Sequence, residues 1–121
     1  MRYTFPAVKG KGRGNSIVGF PTINLLVPKD FPAKEGVYAC KVWLFGKEYR
    51  GALHYGPAPT FDDADRTLEI FVLEYSGAEP VSELTFELGP FLRPVATFMS
   101  PTDLRKQIAL DVARVRNTKF E

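Results

Sequence analysis

Apolar residues recur in short runs that alternate with polar ones, and glycine or proline breaks the pattern every few positions, so most of the chain predicts strands joined by turns rather than long helices. The clearest hairpin has arms Val37 to Phe45 and Glu48 to Tyr55. Gly46-Lys47 lies between them, and a glycine leading a two-residue connection suits a type II′ turn. Thr67 to Tyr75 (TLEIFVLEY), rich in β-branched and aromatic residues, predicts a further strand. Another is predicted over Glu83 to Leu88, where Leu84, Phe86 and Leu88 alternate with Thr85 and Glu87. Weaker strands are expected near Tyr3 to Val8 and Thr22 to Val27. One segment reads as helix, residues 101 to 116. Ser100 stands as N-cap, Pro101 at the first helical position and Asp103 in an S-x-x-D capping arrangement, and Leu104, Ile108, Val112 and Val115 form a one-sided stripe. Several short strands followed by one packed helix predict an all-β domain, a small closed or nearly closed barrel with a C-terminal helix against it.

Composition narrows the class. A length of 121 residues with 45% hydrophobic content suits one domain with a single core. The lone Cys40 excludes an internal disulfide, and no Cys/His cluster has zinc-ligand spacing. No apolar run spans a bilayer and the N-terminus lacks the apolar region of a secretory signal, so a soluble, cytoplasmic protein is expected. The net charge of +2 hides an asymmetry: Arg2, Lys9, Lys11, Arg13 and Lys29 all precede the first carboxylate, Asp30, and the rest of the chain holds all 14 acids. Anion binding, above all of phosphate, is expected near the N-terminus.

The densest chemical signal is Gly10-Lys11-Gly12-Arg13-Gly14, followed by Gly19-Phe20-Pro21-Thr22-Ile23-Asn24. Alternating glycines let backbone N–H groups approach an anion beside two cations, which suits a phosphate cradle; a bland flexible loop is the alternative. Gly14 and Gly19 have P-loop spacing, but Phe20-Pro21 stands where Lys-Ser/Thr is required, and a strand follows where a dinucleotide fold needs a helix. In an extended chain Thr22 and Asn24 project together. Their hydroxyl and amide oxygens suit Mg²⁺ alongside substrate phosphates, or else Asn24 bonds the backbone of a turn. Glu69 sits centrally in an apolar strand, either on the solvent face of an edge strand or lining a partly enclosed site, where desolvation favours a general base. His54 and Cys40 read as structural, Cys40 as a buried, inert thiol.

Together these landmarks resemble the riboflavin kinase (flavokinase) family. The matching text is G-K-G-R-G-N-S-I-V-G-F-P-T-I-N from Gly10 to Asn24, then Gly36-Val37-Tyr38, Gly56-Pro57-Ala58-Pro59-Thr60-Phe61, Leu68-Glu69-Ile70, and Leu92-Arg93-Pro94 with Phe98, Gln107-Ile108 and Asp111. The resemblance implies a six-stranded antiparallel, Greek-key-like barrel with a C-terminal helix over residues 1–121, and phosphorylation of riboflavin to FMN by ATP with Mg²⁺. It implies that Gly10, Gly12 and Gly14, with Lys11 and Arg13, belong to the loop over the ATP phosphates. Thr22 and Asn24 would bind nucleotide and metal, and Glu69 would take the proton of the riboflavin 5′-hydroxyl. Arg93, Leu104 and Ile108 would lie on the flavin side. The chain departs from the family pattern after the Glu69 strand, where Ser76 to Ser82 lacks a Tyr-Gly pair, and at His54, where the family tends to have a small polar residue. In bacteria this module is often fused behind an FMN adenylyltransferase domain; with the first strand expected almost at Met1, FMN but no FAD is the expected product of this sequence, which is either a stand-alone protein or a domain excised from a longer chain. The expected protein is a monomeric enzyme acting on small molecules, without nucleic acid or membrane. The alternatives are a non-catalytic flavin or nucleotide binder, against which the retained Thr22, Asn24 and Glu69 argue, and a nucleic-acid-binding barrel, which the acidic later segments weaken.

Overall fold

The computed structural model describes residues 1–8, 22–57, 66–75 and 81–120. Six strands, β1 (Arg2–Val8), β2 (Ile23–Leu25), β3 (Gly36–Leu44), β4 (Lys47–Pro57), β5 (Arg66–Val72) and β6 (Glu83–Arg93), precede one helix, α1 (Pro101–Arg116). The strands close into a barrel in the order β1-β2-β5-β4-β3-β6, every neighbouring pair antiparallel. The all-β barrel with a C-terminal helix is therefore the observed architecture. No helix among the described residues is long and apolar enough to cross a membrane.

Period-two alternation decides which side chains fill the barrel. On β5, Leu68, Ile70 and Val72 point inward and are buried, while Thr67, Glu69 and Phe71 face outward. Leu25, Tyr38, Cys40, Val42, Leu44, Leu53, Tyr55, Leu84 and Phe86 join them in the interior, and Phe31 packs with them, edge-on to Tyr55 with ring centroids 5.0 Å apart. Cys40 is fully buried, donates its Sγ–H to the Gly51 carbonyl at 3.5 Å, and is held protonated by that burial.

Several boundaries differ from expectation: β2 is shorter than Thr22 to Val27, β4 runs on to Pro57, and three others have a visible cause. The hairpin turn is Phe45-Gly46, not Gly46-Lys47: Leu44 pairs with Lys47, and Phe45 (φ 50°) and Gly46 (φ 78°) both have the positive φ of a type I′ turn, whose twist matches the strands. Phe45 tolerates that conformation with its ring stacked on Tyr75 at 6.4 Å. Strand β5 ends at Val72, because Glu74 turns the chain (φ 64°) after Leu73 N–H donates to the Arg50 carbonyl at 2.9 Å, which leaves Leu73 to pack beneath the helix instead of in the barrel. Strand β6 runs through Gly89-Pro90 to Arg93. Tyr38 pairs with Phe91 and Cys40 with Leu88, so two residues oppose Ala39 in a bulge, where proline's missing N–H breaks no ladder bond.

Helix α1 has the predicted ends. Asp103 N–H donates to the Ser100 hydroxyl at 3.1 Å. Val112 and Val115 pack on Ala39 and Leu73, with Ile108, Ala52, Phe71, Leu92 and Phe120 around them. At its C-terminus Arg50, from β4, donates to the carbonyls of Val115 (2.9 Å), Arg116 (3.1 Å) and Thr118 (2.5 Å), placing a cation where the unpaired carbonyls gather.

Candidate functional site

The helix covers only part of the barrel wall. Beside it, strand register lines up outward-facing residues from five strands: Asn24 opposite Glu69, Glu69 opposite His54, His54 opposite Val37, and Val37 opposite Arg93. Antiparallel partners share a face, with Cβ atoms roughly 4.5–5.5 Å apart, so this is one continuous row across the wall. No two of its polar members are close in sequence.

At one end, the Thr22 hydroxyl donates to Glu69 Oε1 at 3.0 Å. That bond orients the carboxylate and leaves the hydroxyl oxygen's lone pairs facing away from it. Thr22, Asn24 and Glu69, separated by up to 47 positions, thus form one cluster. Glu69 lies half-buried in the wall of a closed barrel rather than on an open edge. Gly10, Lys11, Gly12, Arg13 and Gly14 lie outside the described residues, as do Ser76 to Pro80.

The donor set at this end is hydroxyl, amide and carboxylate oxygen. Among the described residues no group of three His, Cys, Asp or Glu side chains would hold a metal unaided. Such a sparse set of oxygens fits Mg²⁺, a hard cation that keeps several waters and takes its remaining ligands from phosphate.

At the other end Arg93 forms a two-pronged ion pair with Asp111 of α1, Nε to Oδ1 at 2.9 Å and Nη2 to Oδ2 at 2.8 Å, and Gln107 Nε2 adds a third bond to Oδ1 at 3.0 Å. The remaining Nη1 donates to the Pro94 carbonyl at 3.2 Å. Phe98 lies beside this guanidinium, 5.8 Å from its ring centroid. Ile108 packs into the helix–barrel contact, and Leu104, one turn nearer the N-terminus, is half-buried. Asp111 entered the sequence reading only as a landmark. Its signal was its place in the stripe, three residues beyond Ile108 and four before Val115, an acid on a buried helix face.

His54 is the residue whose environment differs most from the sequence reading. It sits mid-row and not at a strand end, because β4 continues to Pro57. Burial pushes its imidazole below the ordinary value of 6.5; the Glu69 charge opposes that shift and the Arg93 charge adds to it. Below pH 6.5 the unfolded chain binds a proton that the folded chain resists, so stability falls with acidification until the folded pKa is passed. His54→Asn lacks this dependence. Its stability relative to wild type should improve between pH 7.5 and pH 5.5 in urea titrations, and parallel midpoints across that range would refute the assignment.

Several known proteins share this architecture. The bifunctional riboflavin kinase/FMN adenylyltransferase of Listeria monocytogenes is 32% identical over 106 residues, covering 86% of this chain and 33% of that protein. The chain spans only 16–35% of the length of the curated relatives it matches. The crystal structure of a macrolide-efflux protein from Streptococcus pneumoniae superposes with a TM-score of 0.83 at 24% identity, covering 98% of this chain and 39% of that one. Riboflavin kinase from Trypanosoma brucei gives a TM-score of 0.64 at 22% identity, over 96% and 77% of the two chains. At these identities the two structures establish a shared fold. The family described as Flavokinase, riboflavin kinase, matches residues 2–119, from the first barrel strand to beyond the helix, and the chain therefore belongs to the riboflavin kinase family.

Proposed function

We propose that this chain transfers the γ-phosphoryl group of ATP to the 5′-hydroxyl of riboflavin, giving FMN and ADP, and that residues 1–121 act as one kinase domain. The observation that carries this reading is the Thr22–Asn24–Glu69 cluster: a carboxylate held by a hydroxyl, across from an amide, in a family that phosphorylates riboflavin. Phosphoryl transfer asks mainly for positioning and charge neutralisation, so one base and a few oxygen ligands suffice.

In this reading Glu69 accepts the 5′-hydroxyl proton as the new O–P bond forms and the bond to the ADP oxygen breaks. Thr22 holds the Glu69 carboxylate in place, and Thr22 and Asn24 together would hold Mg²⁺. When bound, Mg²⁺ supplies charge neutralisation on the phosphates. Gly10, Gly12 and Gly14, with Lys11 and Arg13, would cover those phosphates. Arg93, Leu104 and Ile108 would flank the flavin. Arg93 meets it through the face of its guanidinium or through Nη1, since Asp111 occupies its other nitrogens.

The test is direct: protein, riboflavin and Mg-ATP are mixed and the flavins separated by chromatography. FMN formation is expected. Flavin binding without FMN would instead support a non-catalytic binder. Thr22→Ala and Asn24→Ala should each raise the Mg-ATP requirement by about tenfold or more with the melting temperature little changed, as ligand loss without core loss predicts. A lowered melting temperature with normal Mg-ATP use would remove both from the metal site.

A further inference from the structure

Beyond α1 the chain turns back onto the barrel. Thr118 N–H donates to the Val115 carbonyl at 3.1 Å and the Thr118 hydroxyl to the Arg114 carbonyl at 2.7 Å, while Asn117 Nδ2 donates to the Ala113 carbonyl at 3.0 Å. These bonds close the last turn of the helix, and just after them Phe120 lands on Gly89 of β6. A Cβ at Gly89 would lie 2.5 Å from Phe120 Cε1 and 2.8 Å from the Ala39 carbonyl oxygen, so the ring fills the place that a side chain there would take. The bulged stretch of β6 thus makes a seat for the ring.

Two cations face the same ring. Arg50 Cζ lies 5.0 Å and Lys41 Nζ 5.6 Å from its centroid, both within cation–π range. Arg50 also binds the carbonyls of Val115, Arg116 and Thr118, so one guanidinium ties β4, the helix end and the tail together. From the tail back along the helix, Phe120, Arg114 and Asp111 meet β6 at Gly89, the Leu92 carbonyl (2.9 Å) and Arg93 in turn. Helix and strand are therefore clasped at three successive points, of which Phe120 is the apolar one and the last.

We propose that Phe120 is a positioning residue for the flavin side of the site: seated on Gly89, it holds α1 against β6 at the spacing at which Asp111 grips Arg93 with both oxygens. A two-pronged pair demands that spacing, because its bonds weaken steeply once donor and acceptor separate or tilt. Without the ring the helix end is free to lift, Asp111 loosens, and the guanidinium loses its fixed orientation. This rests on the riboflavin kinase reading, in which Arg93 flanks the flavin, and adds the residue that sets how Arg93 is presented.

The test measures FMN formation by Phe120→Ala well below its melting temperature, with riboflavin and Mg-ATP varied in turn, and riboflavin dissociation constants from flavin fluorescence in the presence of Mg-ADP. The riboflavin KM and dissociation constant should both rise about three- to tenfold, with kcat and the KM for Mg-ATP within about twofold of wild type. The melting temperature should fall by about 5 °C as packing is lost. Phe120→Tyr, which keeps the ring, should bind riboflavin like wild type. With Arg93→Met and Asp111→Leu already in place, adding Phe120→Ala should change riboflavin binding by less than about twofold. A lowered melting temperature with the riboflavin KM within about twofold of wild type makes Phe120 a packing residue and overturns the proposal. So does an equal rise in both KM values, or the full loss recurring in the doubly substituted background; if that background binds no riboflavin, the split between the two KM values decides. Should Phe120→Ala fail to fold, Phe120→Leu is read by the same criteria. Riboflavin binding that depends on Phe120 in this way, with no FMN made by wild type, overturns the kinase reading and leaves the positioning role standing; a wild type that binds no riboflavin overturns both.

Discussion

Glu69→Gln should lower the rate of FMN formation by on the order of 10²–10⁴, the usual share of a positioned general base. Glutamine keeps the size of the side chain and can still accept the Thr22 hydroxyl bond, so the local geometry in which Oε1 sits 3.0 Å from Thr22 Oγ1 has no reason to collapse. What it cannot do is take the proton of the riboflavin hydroxyl. Binding of riboflavin and nucleotide should survive, and the loss should appear in turnover with both substrates saturating. The measurement is steady-state FMN production by wild type and variant across a pH series. A rate within about threefold of wild type, far short of a base's usual share, would leave Glu69 as a structural acid whose loss lowers the melting temperature instead.

The largest expected change in stability comes from the other end of the row. The Asp111 side chain is only 4% exposed and Arg93 17%, and each carboxylate oxygen of Asp111 receives a guanidinium N–H. Asp111→Ala removes the carboxylate and leaves the Arg93 charge without a partner at the contact between β6 and α1. Breaking a buried pair from one side typically destabilises by about 3–5 kcal/mol. For a domain of this size that lowers the melting temperature by on the order of 10 °C or more. The double substitution Arg93→Met with Asp111→Leu should recover most of the loss, since apolar side chains replace a buried pair at little net cost. A single-variant loss below about 1 kcal/mol, the range of exposed pairs, would show that the pair is solvated in solution. The double variant also separates two roles of Arg93: if it folds stably yet binds riboflavin poorly, the guanidinium itself contacts the flavin.

Much of this was legible along the chain. The two alternating sets on β5 follow from period two, which groups Glu69 with Thr67 and Phe71 and leaves Leu68, Ile70 and Val72 as the apolar set. The helix boundaries follow from Ser100, Pro101 and Asp103, whose hydrogen bonding is local and therefore written in neighbouring residues. Thr22 and Asn24 were visible as a pair because two residues in an extended chain share a face. The features read differently all involved contacts from distant segments. Gly89-Pro90 looks like a strand end until the bulge opposite Ala39 absorbs it, and Phe45 enters the turn because the ring of Tyr75 is there to stack on it. His54 looks like an ordinary strand histidine because nothing in its own stretch of sequence shows that Glu69 and Arg93 stand on either side of it.

The sequence by itself determined the strand content, the helix and its caps, the faces that side chains take, and the candidates Thr22, Asn24 and Glu69, because each depends on periods of two or 3.6 and on bonds to near neighbours. Only the tertiary structure decided that Asn24, Glu69, His54, Val37 and Arg93 form one row, that Asp111 reaches back to close it, and that the Glu69 and Arg93 charges act on His54. The physical reason is that register across a closed barrel is set by how all the inward faces pack at once. Burial and electric field at a side chain are sums over whatever that packing brings near, and distance along the chain carries no information about them.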